Sequence, residues 1–140
     1  MIILDTSVLS MIFRRTETAP SHPVISVFRR LIEDDVSLGV PGAVHQELLS
    51  GVRSQHAFQA LEDALSGFTL LLADKPTHRL AAQIHATCRA SGVSAASFDA
   101  LIAAHTIVVG GELLTLDADF RHMAPLISLR LTPIETVGEL

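Results

Sequence analysis

Short apolar runs alternate with longer amphipathic segments along this chain, and this alternation limits the possible folds more than any other feature. The apolar runs lie at Ile2–Leu4, Val36–Val40, Phe68–Leu72 and Leu113–Leu116, and a further one is expected at Ile127–Leu131. Strands that are apolar on both faces and separated by helices are typical of a parallel sheet covered on both sides. The sequence therefore predicts an α/β fold with a central parallel sheet of about five strands.

Amphipathic helices are expected between these runs because apolar residues recur at helical spacing and Ser, Pro and Gly mark the ends. A loop is expected at Pro20–Pro23. The expected helices run from Ser7 to about Arg15, from Val24 to Glu33, from Pro41-Gly42 to Gly51, through Phe58 and Leu61 to Gly67, from Pro76 to Ala90, and from a capping Ser97 to Val109.

Length and composition indicate one folded domain, residues 1–140. Charged residues make up 18% of the 140 residues and hydrophobic residues 49%, which excludes intrinsic disorder. The apolar runs are far shorter than the ~20 residues that cross a bilayer. Because no signal peptide is recognisable and Cys88 is the single cysteine, we expect a protein of the cytosol without disulfides or cysteine-bound zinc.

The formal net charge of −5 argues against a broad basic face for nucleic acid, so any such contact must be local. Trp and Tyr are absent, which disfavours a platform for stacking bases. The mean hydropathy of +0.43 suggests that some apolar surface meets a partner. We expect that surface on the first two helices, which carry Val8, Ile12, Phe13, Val24, Val27, Phe28 and Leu31.

Acidic residues stand where a parallel sheet places functional groups. Asp5 directly follows the first strand, Asp117 and Asp119 follow the fourth, and Glu47 and Asp99 lie in helices among apolar neighbours. Each has a structural alternative: a helix cap for Asp5, a favourable helix-dipole position for Asp99, a solvated helix position for Glu47, and a turn for either Asp after the fourth strand. A single site at the carboxyl edge of the sheet would account for all of them.

A cluster of carboxylates needs a cation, because like charges a few ångströms apart repel one another. Oxygen ligands without Cys or clustered His favour Mg²⁺ or Mn²⁺ over Zn²⁺. Such ions bind substrate phosphates and activate water, which points to phosphodiester hydrolysis.

Four ordered segments of the chain resemble the motifs of PIN-domain proteins, and most closely those of VapC-type toxins. These segments are Leu4–Leu9, Pro41–Gly51 with its central Glu47-Leu48, Phe98–Ala104, and Leu114–Phe120. The resemblance implies a PIN-like fold and a metal-dependent endoribonuclease that acts on RNA, is inhibited by a cognate antitoxin and forms a homodimer.

The same resemblance implies that Asp5, Glu47, Asp99 and Asp117 are the catalytic and metal-binding residues. It leaves open whether Asp117 or Asp119 is the fourth acid. Thr6, Ser7 and Thr115 are candidates for hydroxyls that support these acids.

Other residues and functions remain as alternatives. His45 and His105 lie near acids in the sequence, and Arg14, Arg15, Arg53 and Arg121 are candidates for RNA phosphate contacts, although solvated helix ends are the simpler explanation. Asp5 could instead be the nucleophile of an aspartyl phosphotransferase or phosphatase, and the chain could be a non-catalytic interaction module with the same fold. Metal-dependent cleavage of cellular RNA, compared with Asp5→Asn, distinguishes these functions.

Overall fold

The computed structural model describes residues 1–14 and 22–134, and within them four short strands form one parallel sheet. The strands are β1 (Ile2–Leu4), β2 (Leu38–Pro41), β3 (Thr69–Leu71) and β4 (Glu112–Leu114). Their order is β3-β2-β1-β4, with Ile2 opposite Leu38 on one side and Glu112 on the other. The α/β class and the parallel sheet predicted from the sequence are confirmed.

Seven helices connect and cover the strands in these ranges: α1 (Thr6–Arg14), α2 (Pro23–Glu33), α3 (Gly42–Ser50), α4 (Gln55–Leu65), α5 (Lys75–Ala90), α6 (Ser97–Val108) and α7 (Asp119–Ile127). The predicted start of α5 is correct: Asp74 accepts a hydrogen bond from the backbone N–H of Thr77, and Pro76 occupies the first turn. Ser97 does not cap α6; Ala96 holds the cap position, without a side-chain hydrogen bond.

The expected fifth strand at Ile127–Leu131 is wrong. Ile127 ends α7, a helix that the sequence analysis did not predict, and Ser128 then adopts the left-handed conformation with φ 55°. Phe120 and Met123 bury the inner face of this helix. Leu131 forms only an isolated parallel bridge with Leu113. The strand-like pattern of this segment therefore corresponds to a single residue pairing with the edge of β4.

The core lies between the sheet and the helices, and Cys88 is buried in it. Val8 and Val24 are fully buried there, so these two members of the expected partner surface belong to the core instead. Arg15 and Pro20, which the sequence analysis placed at a helix end and in a loop, lie outside the described residues. In the two described ranges, no helix has the length and apolar character needed to cross a membrane.

Candidate functional site

A cleft of about 280 Å³ lies beyond the carboxyl end of β1 and brings four of the predicted acids together. The parallel sheet explains this convergence, because Asp5 and Asp117 follow neighbouring strands that end at the same edge. The cleft is lined by Asp5, Thr6, Ser7, Glu47, Phe98, Asp99, Ile102 and Asp117. Phe98 and Ile102 were not predicted; their positions one before and three after Asp99 on α6 are the signal that could have found them.

Asp5 is held by three donors at the junction of β1 and α1. Its Oδ1 accepts hydrogen bonds from Ser7 Oγ at 2.7 Å and from the backbone N–H of Val8 at 3.1 Å, and its Oδ2 accepts one from the Thr115 hydroxyl. Only 3% of the residue is exposed. The bond to Val8 is a helix cap, so the structural alternative for Asp5 is present in the structure. It does not exclude a role as a metal ligand, because Asp5 also lines the cleft.

Burial raises the pKa of Asp5 above its usual value, since it removes water from the charged form. The hydrogen bonds from Ser7, Thr115 and Val8 act in the opposite direction. These three hydrogen bonds therefore replace part of the water that the charged carboxylate has lost by burial.

Two hydroxyls extend this network across the sheet. Ser7 Oγ accepts a hydrogen bond from the backbone N–H of Leu116 at 2.9 Å, and Thr115 Oγ1 accepts one from the N–H of Asp117 at 3.0 Å. Two of the three predicted hydroxyls thus link Asp5 to the segment after β4. The third, Thr6 Oγ1, is buried at the cleft without a hydrogen-bond partner in the described part of the chain.

Asp99, Asp117 and Asp119 form the tightest group of carboxylates. One oxygen of each lies within 4.8 Å of the others, close enough for one ion to contact all three. Asp99 is in the first turn of α6, and Asp119 begins α7, where its N–H donates to Asp117 Oδ1 at 2.9 Å. Asp119 is exposed and does not line the cleft, whereas Asp117 does.

Asp99 carries the clearest electrostatic signature of the site. Burial first, and then repulsion by Asp117, Asp119, Asp5 and Glu47, raise its pKa to about 6. Within residues 1–14 and 22–134, no Lys or Arg lines the cleft. The acids therefore face one another with nothing from the cleft lining to neutralise them.

Glu47 reaches the cleft from α3, on which it is exposed. The neighbouring residue Leu48 is buried, and its carbonyl accepts a hydrogen bond from the Arg14 guanidinium. Arg14 therefore connects the ends of α1 and α3. The RNA contact considered for it from the sequence stays a prediction. His45, His105, Arg53 and Arg121 do not line the cleft.

Comparison with known proteins identifies the family of this chain. A family model of the PIN domain matches residues 2–126. The chain belongs to the PIN-domain family. This PIN domain is 32% identical over 132 residues to ribonuclease VapC11 of Mycobacterium tuberculosis, a match that covers 93% of the chain and 96% of that protein.

Solved structures share the fold of this PIN domain. VapBC2 from Rickettsia felis, bound to a DNA fragment from its promoter, matches with a TM-score of 0.76 at 18% identity, covering 94% of this chain and 98% of that one. VapBC-5 from Mycobacterium tuberculosis, a member of a family of toxin–antitoxin systems, matches with a TM-score of 0.69 at 19% identity, covering 94% and 97%. These structures share the fold alone; the curated relatives, which are named ribonucleases, favour a nuclease over an aspartyl phosphotransferase or a non-catalytic module.

Proposed function

We propose that this PIN domain is a metal-dependent endoribonuclease, the toxin of a toxin–antitoxin pair, that hydrolyses phosphodiester bonds of RNA. The observation that carries the proposal is the convergence of Asp5, Glu47, Asp99 and Asp117 on one cleft to which the described part of the chain contributes no Lys or Arg. Its curated relatives, 32% identical over nearly the whole chain, are named ribonucleases.

The donor chemistry fits a hard divalent cation. The candidate ligands are carboxylate oxygens only, and three of them lie within 4.8 Å of one another. The raised pKa of Asp99 marks a site that is costly to ionise without a counter-charge. Mg²⁺ or Mn²⁺ suits such ligands, and Asp5, Glu47, Asp99 and either Asp117 or Asp119 would hold it. When bound, such an ion activates water and offsets negative charge on the phosphate being cleaved.

The side chains around the cleft hold the candidate metal ligands in place and supply the negative charge of the site. Hydrogen bonds from the Ser7 and Thr115 hydroxyls orient the Asp5 carboxylate. The same hydroxyls accept hydrogen bonds from the N–H groups of Leu116 and Asp117, and so link the Asp5 side chain to the backbone after β4. Phe98 and Ile102 form an apolar wall that limits water around Asp99. Glu47, more exposed than Asp5 and Asp99, adds a fourth carboxylate at the solvent side of the cleft.

The partner proposed for the first two helices is the antitoxin. Phe13 of α1 and Phe28 of α2 both pack on Phe68, with ring centroids 6.3 and 6.1 Å apart, and Phe13 is 36% exposed. An amphipathic antitoxin helix would cover this aromatic cluster, Phe13, Phe28 and Phe68. A homodimer is the further proposal for assembly, and its mass in solution tests it.

The decisive experiment is cleavage of mixed cellular RNA by the purified chain with Mg²⁺ or Mn²⁺, compared with EDTA. Asp5→Asn and Asp99→Asn keep the side-chain shape and remove a charged ligand, and we expect both to lose cleavage. Asp63→Asn, an exposed position on α4, is the matched control and should cleave like wild type. Metal-dependent cleavage by a folded Asp5→Asn or Asp99→Asn protein would contradict the proposal.

A further inference from the structure

Helix α5 carries basic residues and no acidic residue in a chain whose formal net charge is −5. Lys75, Arg79 and Arg89 lie in its 16 residues, accompanied by His78 and His85. Asp74 precedes the helix and keeps its negative charge while it accepts the cap hydrogen bonds from the N–H and hydroxyl of Thr77. Beyond this first turn, the helix is a local region of positive charge.

These residues share one side of the helix. At 100° per residue, the five basic and histidine positions fall within one broad stripe, and the buried residues Thr77, Ala81, Ile84 and Cys88 fall on the other side. Lys75, His78, Arg79 and Arg89 are exposed, and His85 is half-buried. We call this stripe, Lys75, His78, Arg79, His85 and Arg89, the basic face.

Arg79 and Arg89 recur along the basic face. They are ten residues apart, about 15 Å along the helix at 1.5 Å per residue, and about 80° apart around its axis. Each lines a cavity on a different flank of the helix: one of about 420 Å³ with Lys75 and Gln83, and one of about 370 Å³ with His85 and Ser94. Two exposed cations at this spacing suit a ligand with repeated negative charges.

The basic face leads towards the cleft. Asp74, at the start of α5, interacts electrostatically with His105, near the end of α6, and six residues, 91–96, connect the end of α5 to the start of α6. The two helices are therefore antiparallel, and the Arg89 end of the basic face adjoins the end of α6 that carries Asp99.

A nucleic acid fits this surface better than a protein does. Protein interfaces depend on apolar and aromatic residues at their centre, whereas α5 has no aromatic residue and exposes Ala82, Gln83 and Ala86 between its charges. Without aromatic side chains the face offers no base stacking, so it would contact the backbone irrespective of sequence.

We infer that the basic face of α5 binds the phosphodiester backbone of the RNA outside the cleft and guides the strand towards Asp99. This inference rests on the proposed ribonuclease function and assigns the side from which its substrate enters.

Fluorescence anisotropy of a labelled 20-nucleotide oligouridylate RNA, in the Asp99→Asn background with Mg²⁺, tests the inference. The double variant Arg79→Gln/Arg89→Gln should bind about tenfold more weakly, and the slope of log Kd against log salt should fall by about 1.4, at roughly 0.7 per lost contact to a single strand. Arg29→Gln/Arg30→Gln, which removes the same charge from exposed positions of α2, should change Kd less than about twofold. Arg79→Lys/Arg89→Lys should restore most of the affinity.

Each result supports or overturns the inference. Equal weakening by the α2 and α5 pairs, no effect of the α5 pair, or no binding by the parent protein at low salt would overturn it. The inference would also be overturned if Arg79→Gln/Arg89→Gln bound RNA normally but no longer self-associated in light scattering, because the basic face would then bind a second copy of the chain. If the wild-type protein binds RNA through α5 but never cleaves it, the nuclease proposal alone is refuted. If the wild-type protein cleaves RNA and Arg79→Gln/Arg89→Gln binds it with unchanged affinity, only the inference about the basic face is refuted.

Discussion

The hydroxyl of Thr115 donates a hydrogen bond to Oδ2 of Asp5 and so joins the ends of β4 and β1, 110 residues apart in the sequence. The same hydroxyl oxygen accepts from the N–H of Asp117. One side chain therefore sets the position of one candidate ligand and of the backbone of another.

Thr115→Val should weaken the site without abolishing the fold. Valine keeps the shape but leaves Asp5 with one donor fewer, and loss of such a supporting hydrogen bond typically lowers metal affinity or activity by about 10- to 100-fold. The fall in stability should be about 1 kcal/mol. Mg²⁺ titration followed by calorimetry, and RNA cleavage rates, measure the two effects.

Thr132→Val is the matched control for Thr115→Val. Thr132 also donates a side-chain hydrogen bond, to Glu112 at 3.2 Å, but lies outside the cleft lining. It should bind metal like wild type. A Thr115→Val protein with normal metal affinity would show that the hydroxyl does not support Asp5.

The pH dependence of the free energy of unfolding should reveal the cost of ionising Asp99 in the metal-free protein. Its folded pKa of about 6 lies above the usual aspartate pKa of 3.8, so between these values the folded state holds a proton that the unfolded chain has lost. The contribution of Asp99 to stability is therefore present below about pH 3.8 and lost as pH rises to about 6.

Asp99→Asn removes this effect and should be more stable than wild type in EDTA at pH 7, by about 1 kcal/mol. The difference should shrink towards pH 4. Added Mg²⁺ should stabilise wild type more than the variant, since it binds the native site. Thermal melts across this pH range decide the point, with Asp63→Asn as the exposed control; a variant that is less stable in EDTA and equally stabilised by Mg²⁺ would identify Asp99 as a purely structural residue.

Asp117 and Asp119 should differ in importance, although both approach Asp99. Asp117 lines the cleft and Asp119 is exposed at the start of α7. We expect Asp117→Asn to lower the cleavage rate at least about 100-fold and Asp119→Asn less than about tenfold. Initial rates on one labelled RNA at saturating Mg²⁺ measure both, and the reverse order would make Asp119 the fourth ligand.

The aromatic cluster predicts the result of an antitoxin-binding experiment. Phe13→Glu places a charge in the proposed contact and should weaken binding of the cognate antitoxin at least about tenfold, as expected when a buried aromatic anchor is lost. Leu72→Glu, at a position 76% exposed just after β3, adds the same charge elsewhere and should bind normally. Calorimetry with the co-expressed antitoxin and circular dichroism of both variants measure this; unchanged affinity in a folded Phe13→Glu protein would place the antitoxin on another surface.

Local sequence signals were sufficient for most of the fold. The apolar runs at Ile2–Leu4 and Leu113–Leu116 predicted two strands, which the structure places side by side. Pro76 marked the start of α5 because its restrained φ suits the first turn of a helix. The same reasoning failed at Ile127–Leu131, where alternating burial imitates a strand although only Leu131 forms a bridge. A strand depends on a partner for its hydrogen bonds, and that partner is not visible in a local pattern.

For the site, the sequence by itself determined which acids follow the strand ends, because parallel strands must deliver the residues after them to one edge. Only the tertiary structure decided that Ser7 and Thr115 share Asp5, that Asp117 rather than Asp119 lines the cleft, and that α5 presents its charges on one exposed side. Hydrogen bonds and repulsion act over a few ångströms in space, and the distance between Asp5 and Thr115 is set by the packing of the whole sheet rather than by any segment of the chain.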